Sequence, residues 1–259
     1  MLPIRDHNPS NTTPIVTWGL MALNILIFIG YFGKFGNERE LSQLFLSYGI
    51  VPAMVSEGFQ YSTLITSQFL HGGILHLAGN MLFLWIFGDN LEDSLGHVGF
   101  LTFYLLSGIA AGLMQIAIAP YSTVPIVGAS GAIAGVMGGY LLLFPRARID
   151  VLLILIIYFR VFTISAWIVL GVWFGLQLFN GSADSGSGGG VAYWAHIGGF
   201  VAGAVLCIPL WLRRGGTAAW RSHAGHAPYP DTEYEYSNSR IPRVVRRPKS
   251  VRRKGPWGG

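Results

Sequence analysis

The sequence predicts an all-α fold: a polytopic membrane protein built as a bundle of six transmembrane helices, with a membrane-associated first external loop. Three observations carry this. Only 11% of the 259 residues are charged, against roughly 25% in an average soluble domain. The chain is 52% hydrophobic, with a mean hydropathy of +0.49. Its charges are also segregated, because no Asp, Glu, Lys or Arg occurs in 7–33, 58–88, 94–145, 161–183 or 185–212. Each interval can hold at least one apolar helix of about 20 residues, the length that crosses a hydrocarbon core about 30 Å thick.

Taken in order, residues 1–14 form a short polar lead, and the first span follows near 15–33. It lacks the short apolar core and small-residue cleavage site of a signal peptide, so it is expected to be retained. Residues 34–73 are too apolar for a free loop, with Leu41, Leu44, Phe45, Ile50, Val51 and Phe59 among them. They are expected to rest on or partly within the membrane surface. Spans follow near 74–91, 99–118 and 128–144. The stretch 145–161 opens on Pro145 and two arginines, then turns apolar for too short a run to cross; an interfacial, half-buried segment is expected. A fifth span near 162–179 leads into "NGSADSGSGGG" at 180–190, whose Gly and Ser composition predicts a flexible connection able to gate what lies beneath. The sixth span lies near 192–212.

Six crossings place both termini on one side. Residues 213–259 carry eleven of the seventeen Lys and Arg against three acids, so the positive-inside rule makes that side cytoplasmic. Arg5, Arg146, Arg148 and Arg160 agree. The layout is thus a lead at 1–14, a membrane domain at 15–212 and a basic tail at 213–259. The tail is expected to be disordered and to contact anionic lipid headgroups rather than nucleic acid. The one cysteine, Cys207, allows neither an internal disulfide nor a Cys-based metal site.

Polar side chains inside the apolar spans raise the question of chemistry, since an unpaired polar group in hydrocarbon costs free energy. His71, His76 and Asn80 open the second span, Ser130 the fourth, and His196 lies in the sixth. His76 and Asn80 are four apart, on one helix face. Ser130 falls at the first turn of its helix, where unpaired backbone N–H groups and the helix dipole favour negative charge. His196 is the natural base for its hydroxyl. Gly131, Gly135 and Gly139 form one row of small residues, and Ala195, Gly199 and Gly203 form another. Such rows let two helix backbones approach closely, which would bring serine and imidazole together.

These residues resemble the rhomboid intramembrane serine proteases, bacterial type. "FLHGGILHLAGNM" carries the family's His, four residues, His, three residues, Asn through His71, His76 and Asn80. "GASGA" at 128–132 is similar to its nucleophile motif, and "AHIGGFVAG" at 195–203 to its second catalytic motif. The likeness extends over 15–212. It implies a Ser130–His196 dyad that hydrolyses peptide bonds in or near transmembrane segments of single-pass membrane proteins, near the outer leaflet and without a cofactor. It further implies an oxyanion site of the Ser130 N–H with His76 and Asn80, support from His71 and from Gly128, Gly131 and Gly199, and a capping loop at 180–190.

No acid lies close to His196 in sequence, so a third triad member is not evident, and an aromatic such as Tyr140 is expected to orient the imidazole. Many relatives carry a Trp-Arg pair in the first external insert, where this chain has Tyr61 and Ser62. Three other readings stand beside the protease: a catalytically inactive relative that binds membrane clients, a transporter with His and Asn along its path, and a metal site at His71, His76 and His196. The spans lack the mid-membrane charges a transporter would want, and two histidines five apart share a helix face poorly.

Overall fold

The structure is a computed structural model that describes residues 2–155, 158–183, 190–222, 232–236 and 242–246. Strand β1 (Leu2–Asp6) precedes helix α1 (Ile15–Tyr31). Three short helices follow, α2 (Glu38–Tyr48), α3 (Pro52–Ser56) and α4 (Thr63–Thr66). Then come α5 (Ile74–Leu95), α6 (His97–Ile118) and α7 (Ser130–Leu143). Strands β2 (Arg148–Leu155) and β3 (Tyr158–Ser165) separate α7 from α8 (Ala166–Ala183), α9 (Tyr193–Arg213) and α10 (Thr217–Ser222). Among the described residues of 226–259, strands β4 (Thr232–Tyr236) and β5 (Pro242–Arg246) pair antiparallel, within the tail expected to be disordered.

Among the described residues, five helical segments, α1 extended by a short 3-10 turn to Gly36, α5, α6, α8 and α9, are long and apolar enough to cross a membrane. The fourth expected span, α7, has 14 residues. At 1.5 Å per residue it is about 21 Å long and falls short of a full crossing. Most of its side chains are buried, because α5, α6, α8 and α9 all pack against it. The chain is a multi-pass membrane protein whose shortest apolar helix is the central one.

Residues 148–165 give the segment expected to be interfacial the form of a strand pair, and they move the start of the fifth span from 162 to Ala166. Ile149, Val151, Val161 and Ile164 are β-branched and suit a pleated ladder. They lie in β2 and β3, which pair antiparallel from Arg148↔Ser165 to Leu155↔Tyr158. β1 adds to the other edge of β2, with Arg5 opposite Asp150. An uninterrupted apolar run reads the same for a buried strand as for a helix, so the sequence pattern missed this sheet. α8 begins only at Ala166, whose N–H donates to the Ala147 carbonyl at 2.8 Å.

The ends of the bundle are therefore distinct. Tyr140, near the C-terminal end of α7, donates its hydroxyl to Asp6 at 2.8 Å, and Trp220 of α10 donates to the Leu142 carbonyl at 3.0 Å. β1, the β2–β3 hairpin and α10 thus share one end, while Ser130 starts α7 toward the other. Near the sheet end, buried Glu92 of α5 caps α1, accepting from the Val16 and Thr17 amides at 2.8 and 2.7 Å and from the Thr17 hydroxyl at 2.7 Å. In the first insert, the Asn37 side chain caps α2. Leu41, Leu44 and Phe45 of α2 pack on the cluster around Phe28 and Tyr31 of α1.

Candidate functional site

The site is set by how closely α7 and α9 approach. A Cβ at Gly199 would overlap the Gly131 carbonyl, one at Gly203 the Gly135 carbonyl, and one at Gly138 the Phe200 carbonyl. Gly139 faces the Cys207 sulfur, where a Cβ would lie 2.8 Å from Sγ. The two small-residue rows thus face each other, joined by Gly138, which belongs to neither row. Only hydrogen side chains permit backbone contact of this kind.

At the open end of this seam, His196 Nε2 lies 2.8 Å from Ser130 Oγ. The other ring nitrogen, Nδ1, lies 2.9 Å from Oε1 of Gln177 in α8. An amide oxygen only accepts, so Nδ1 carries the proton and Nε2 presents a lone pair to the serine hydroxyl. This is the tautomer a general base requires. The centroid of the ring lies 5.8 Å from that of Trp173, one helical turn before Gln177, with the two planes inclined at 33°. Tyr140, expected to orient the imidazole, is instead directed to the far end of α7, with its ring on Phe87 and its hydroxyl on Asp6. The partner of the imidazole is thus a neutral acceptor from another helix and not an acid close in sequence. Gln177 was detectable as a polar residue in a charge-free span, but the register of α8 against α9 is not written in either span.

The remaining motif residues converge on the same place. A Cβ at Gly128 would stand 2.8 Å from His76 Nε2 and 3.4 Å from Ser130 Oγ. With φ at +135°, Gly128 also occupies backbone space that side chains rarely enter. Glycine there lets His76 reach the serine. The Gly72 amide donates to His76 Nδ1 at 3.3 Å, so in the neutral ring the hydrogen sits on Nε2, facing the site. Asn80, one turn along α5, is buried, and its Nδ2 has no acceptor among the described residues. His71 is fully buried with its ring edge-to-face on His76 at 5.1 Å between centroids, so it shapes the site from behind. Ser130, His76, Asn80, Gly128, Trp173 and His196 line one cavity of about 670 Å³.

The N-terminus of α9 is tied down on two sides. The Ala195 amide donates to Gln115 of α6 at 3.1 Å, and Trp194 Nε1 donates to the Gly181 carbonyl of α8 at 3.2 Å. Of the connection 180–190, residues 184–189 lie outside the described residues. In the first insert, Tyr61, where a Trp-Arg pair was sought, is largely exposed. The arrangement is a hydroxyl with an oriented base, beside two N–H donors and a helix N-terminus.

The Rhomboid domain matches residues 58–213. The chain is 32% identical over 200 residues to Rhomboid protease GluP of Bacillus subtilis (strain 168), a match covering 77% of this chain and 36% of that protein. It is 34% identical over 147 residues to Rhomboid protein 1, mitochondrial, of Saccharomyces cerevisiae (strain ATCC 204508 / S288c), over 55% of this chain and 40% of the other. Identity to Rhomboid protease GlpG of Salmonella newport (strain SL254) is 26% over 197 residues, covering 74% and 62%. The match thus spans well under half the length of the first two relatives. Domain match, motif order and helical bundle lead to one conclusion: the chain belongs to the rhomboid family.

Proposed function

We propose that this protein is an intramembrane serine endopeptidase that cleaves single-pass membrane proteins in or near their transmembrane segments. The observation that carries the reading is the 2.8 Å approach of His196 Nε2 to Ser130 Oγ. Ser130 Oγ attacks the scissile carbonyl carbon as its proton passes to His196 Nε2. The oxyanion accepts from the Ser130 amide, His76 Nε2–H and Asn80 Nδ2–H, where charge develops away from bulk water. His196 returns the proton to the leaving amine. It then deprotonates a water, which hydrolyses the acyl-enzyme and frees Ser130.

The names of the relatives and the neutral, hydrogen-bonded site support this reading over an inactive client-binding protein. The basic tail supports a cytoplasmic position for both termini, with the site opening toward the external side. Residues 15–212 then form the protease domain, and 213–259 contact anionic lipid headgroups. Purified Ser130→Ala is expected to unfold at the wild-type temperature yet cleave no transmembrane substrate. Turnover by that variant at the wild-type rate would overturn the proposal.

A further inference from the structure

We infer that Gln177 is the positioning residue of the active site, doing with a neutral amide what an aspartate does in a Ser-His-Asp triad. The inference rests on the Ser130–His196 reading. Its geometric basis is a ring held on two sides by one helix. Trp173 and Gln177 are four apart and share a face of α8. The Trp173 ring lies beside the His196 ring, 5.8 Å between centroids at a tilt of 33°, and Gln177 Oε1 meets its Nδ1 edge at 2.9 Å. Gln177 is buried, so this contact is sheltered from competing water.

Without that acceptor, a buried Nδ1–H would have nothing to donate to, and the ring would favour the other tautomer. A proton on Nε2 would then face the Ser130 hydroxyl, and the base would have no lone pair where it is needed. Hydrocarbon surroundings explain the choice of amide. A carboxylate in a lipid-flanked helix carries a large desolvation cost, whereas an amide that turns its oxygen to Nδ1 holds the same tautomer at a smaller one. The trade is a weaker hold on the imidazolium that forms during attack.

The test separates acceptor chemistry from packing with two variants in the full-length protein. Gln177→Met keeps the length and shape of the side chain and removes the acceptor; Gln177→Glu keeps an accepting oxygen in either protonation state. The readout is the rate of Ser130 labelling by a fluorophosphonate, with kcat and KM on a transmembrane peptide substrate. Gln177→Met is expected to lose about tenfold to a hundredfold in labelling rate and kcat with KM unchanged. Gln177→Glu should restore most of that loss. Wild-type labelling by Gln177→Met, or equal losses in both variants, overturns the role of Gln177 while leaving the dyad standing. Absence of labelling in the wild-type protein overturns both. Independently of any variant, the 15N shifts of His196 should report the Nδ1–H tautomer, and an Nε2–H tautomer in the neutral resting enzyme overturns the inference.

Discussion

Gly199 of α9 and Gly131 of α7 face each other so closely that a methyl group on Gly199 would overlap the Gly131 carbonyl oxygen. The residue beside Gly131 is Ser130, and His196 lies one turn before Gly199 on α9. The spacing of this glycine pair therefore sets the spacing of the proposed dyad.

Gly199→Ala should accordingly damage stability and activity together. Backbone cannot yield as a side-chain tip can, so the overlap must push the helices apart, at about 3 kcal/mol or more. Thermal unfolding in micelles should show a lowered midpoint, with fluorophosphonate labelling lost even where the protein remains folded. Gly19→Ala in α1, where nothing lies within 4 Å of the added atom, is the control; there the better helix propensity of Ala leaves the midpoint unchanged or slightly raised.

Asn80→Ala removes a buried donor with no acceptor among the described residues, so stability should hold while the oxyanion loses a partner. A fall in kcat of about a hundredfold to a thousandfold, with KM unchanged, is expected. A rise in KM with kcat unchanged would assign Asn80 to substrate binding instead.

Glu92→Ala tests a contact remote from the chemistry. It leaves the Val16 and Thr17 amides and the Thr17 hydroxyl without their acceptor. A buried neutral donor left without its acceptor costs about 1–3 kcal/mol. The midpoint of unfolding should drop, whereas labelling of the fraction still folded should proceed at the wild-type rate.

Asp6 gives the protein a pH dependence at the sheet end. Burial raises its carboxyl from 3.8 to about 7, opposed by the Tyr140 hydrogen bond and reinforced by nearby Asp89. A carboxyl with a raised folded-state pKa favours folding in its protonated form. Its contribution is complete below pH 4 and is lost as pH rises through about 7. The unfolding midpoint should thus decline between pH 4 and 7, and Asp6→Asn should flatten that slope. An unchanged slope in Asp6→Asn would assign it to another group.

Taken by itself, the sequence determined the membrane character, the apolar spans and which polar side chains those spans hold. Those follow from solvent physics: charge is excluded from hydrocarbon over about 20 residues, and a polar group kept there stands out against its surroundings. The rows at Gly131–Gly139 and Ala195–Gly203 even marked which helix faces would meet. Tertiary structure alone decided what surrounds the imidazole. Tyr140 is aromatic and on the right helix, yet α7 directs it to Asp6, while Gln177 and Trp173 arrive from α8. The sheet of β1, β2 and β3 was likewise undecidable locally, since the partner of residues 148–155 includes residues 2–6. Periodicity reports which face of a segment is buried; only the packed chain specifies against what.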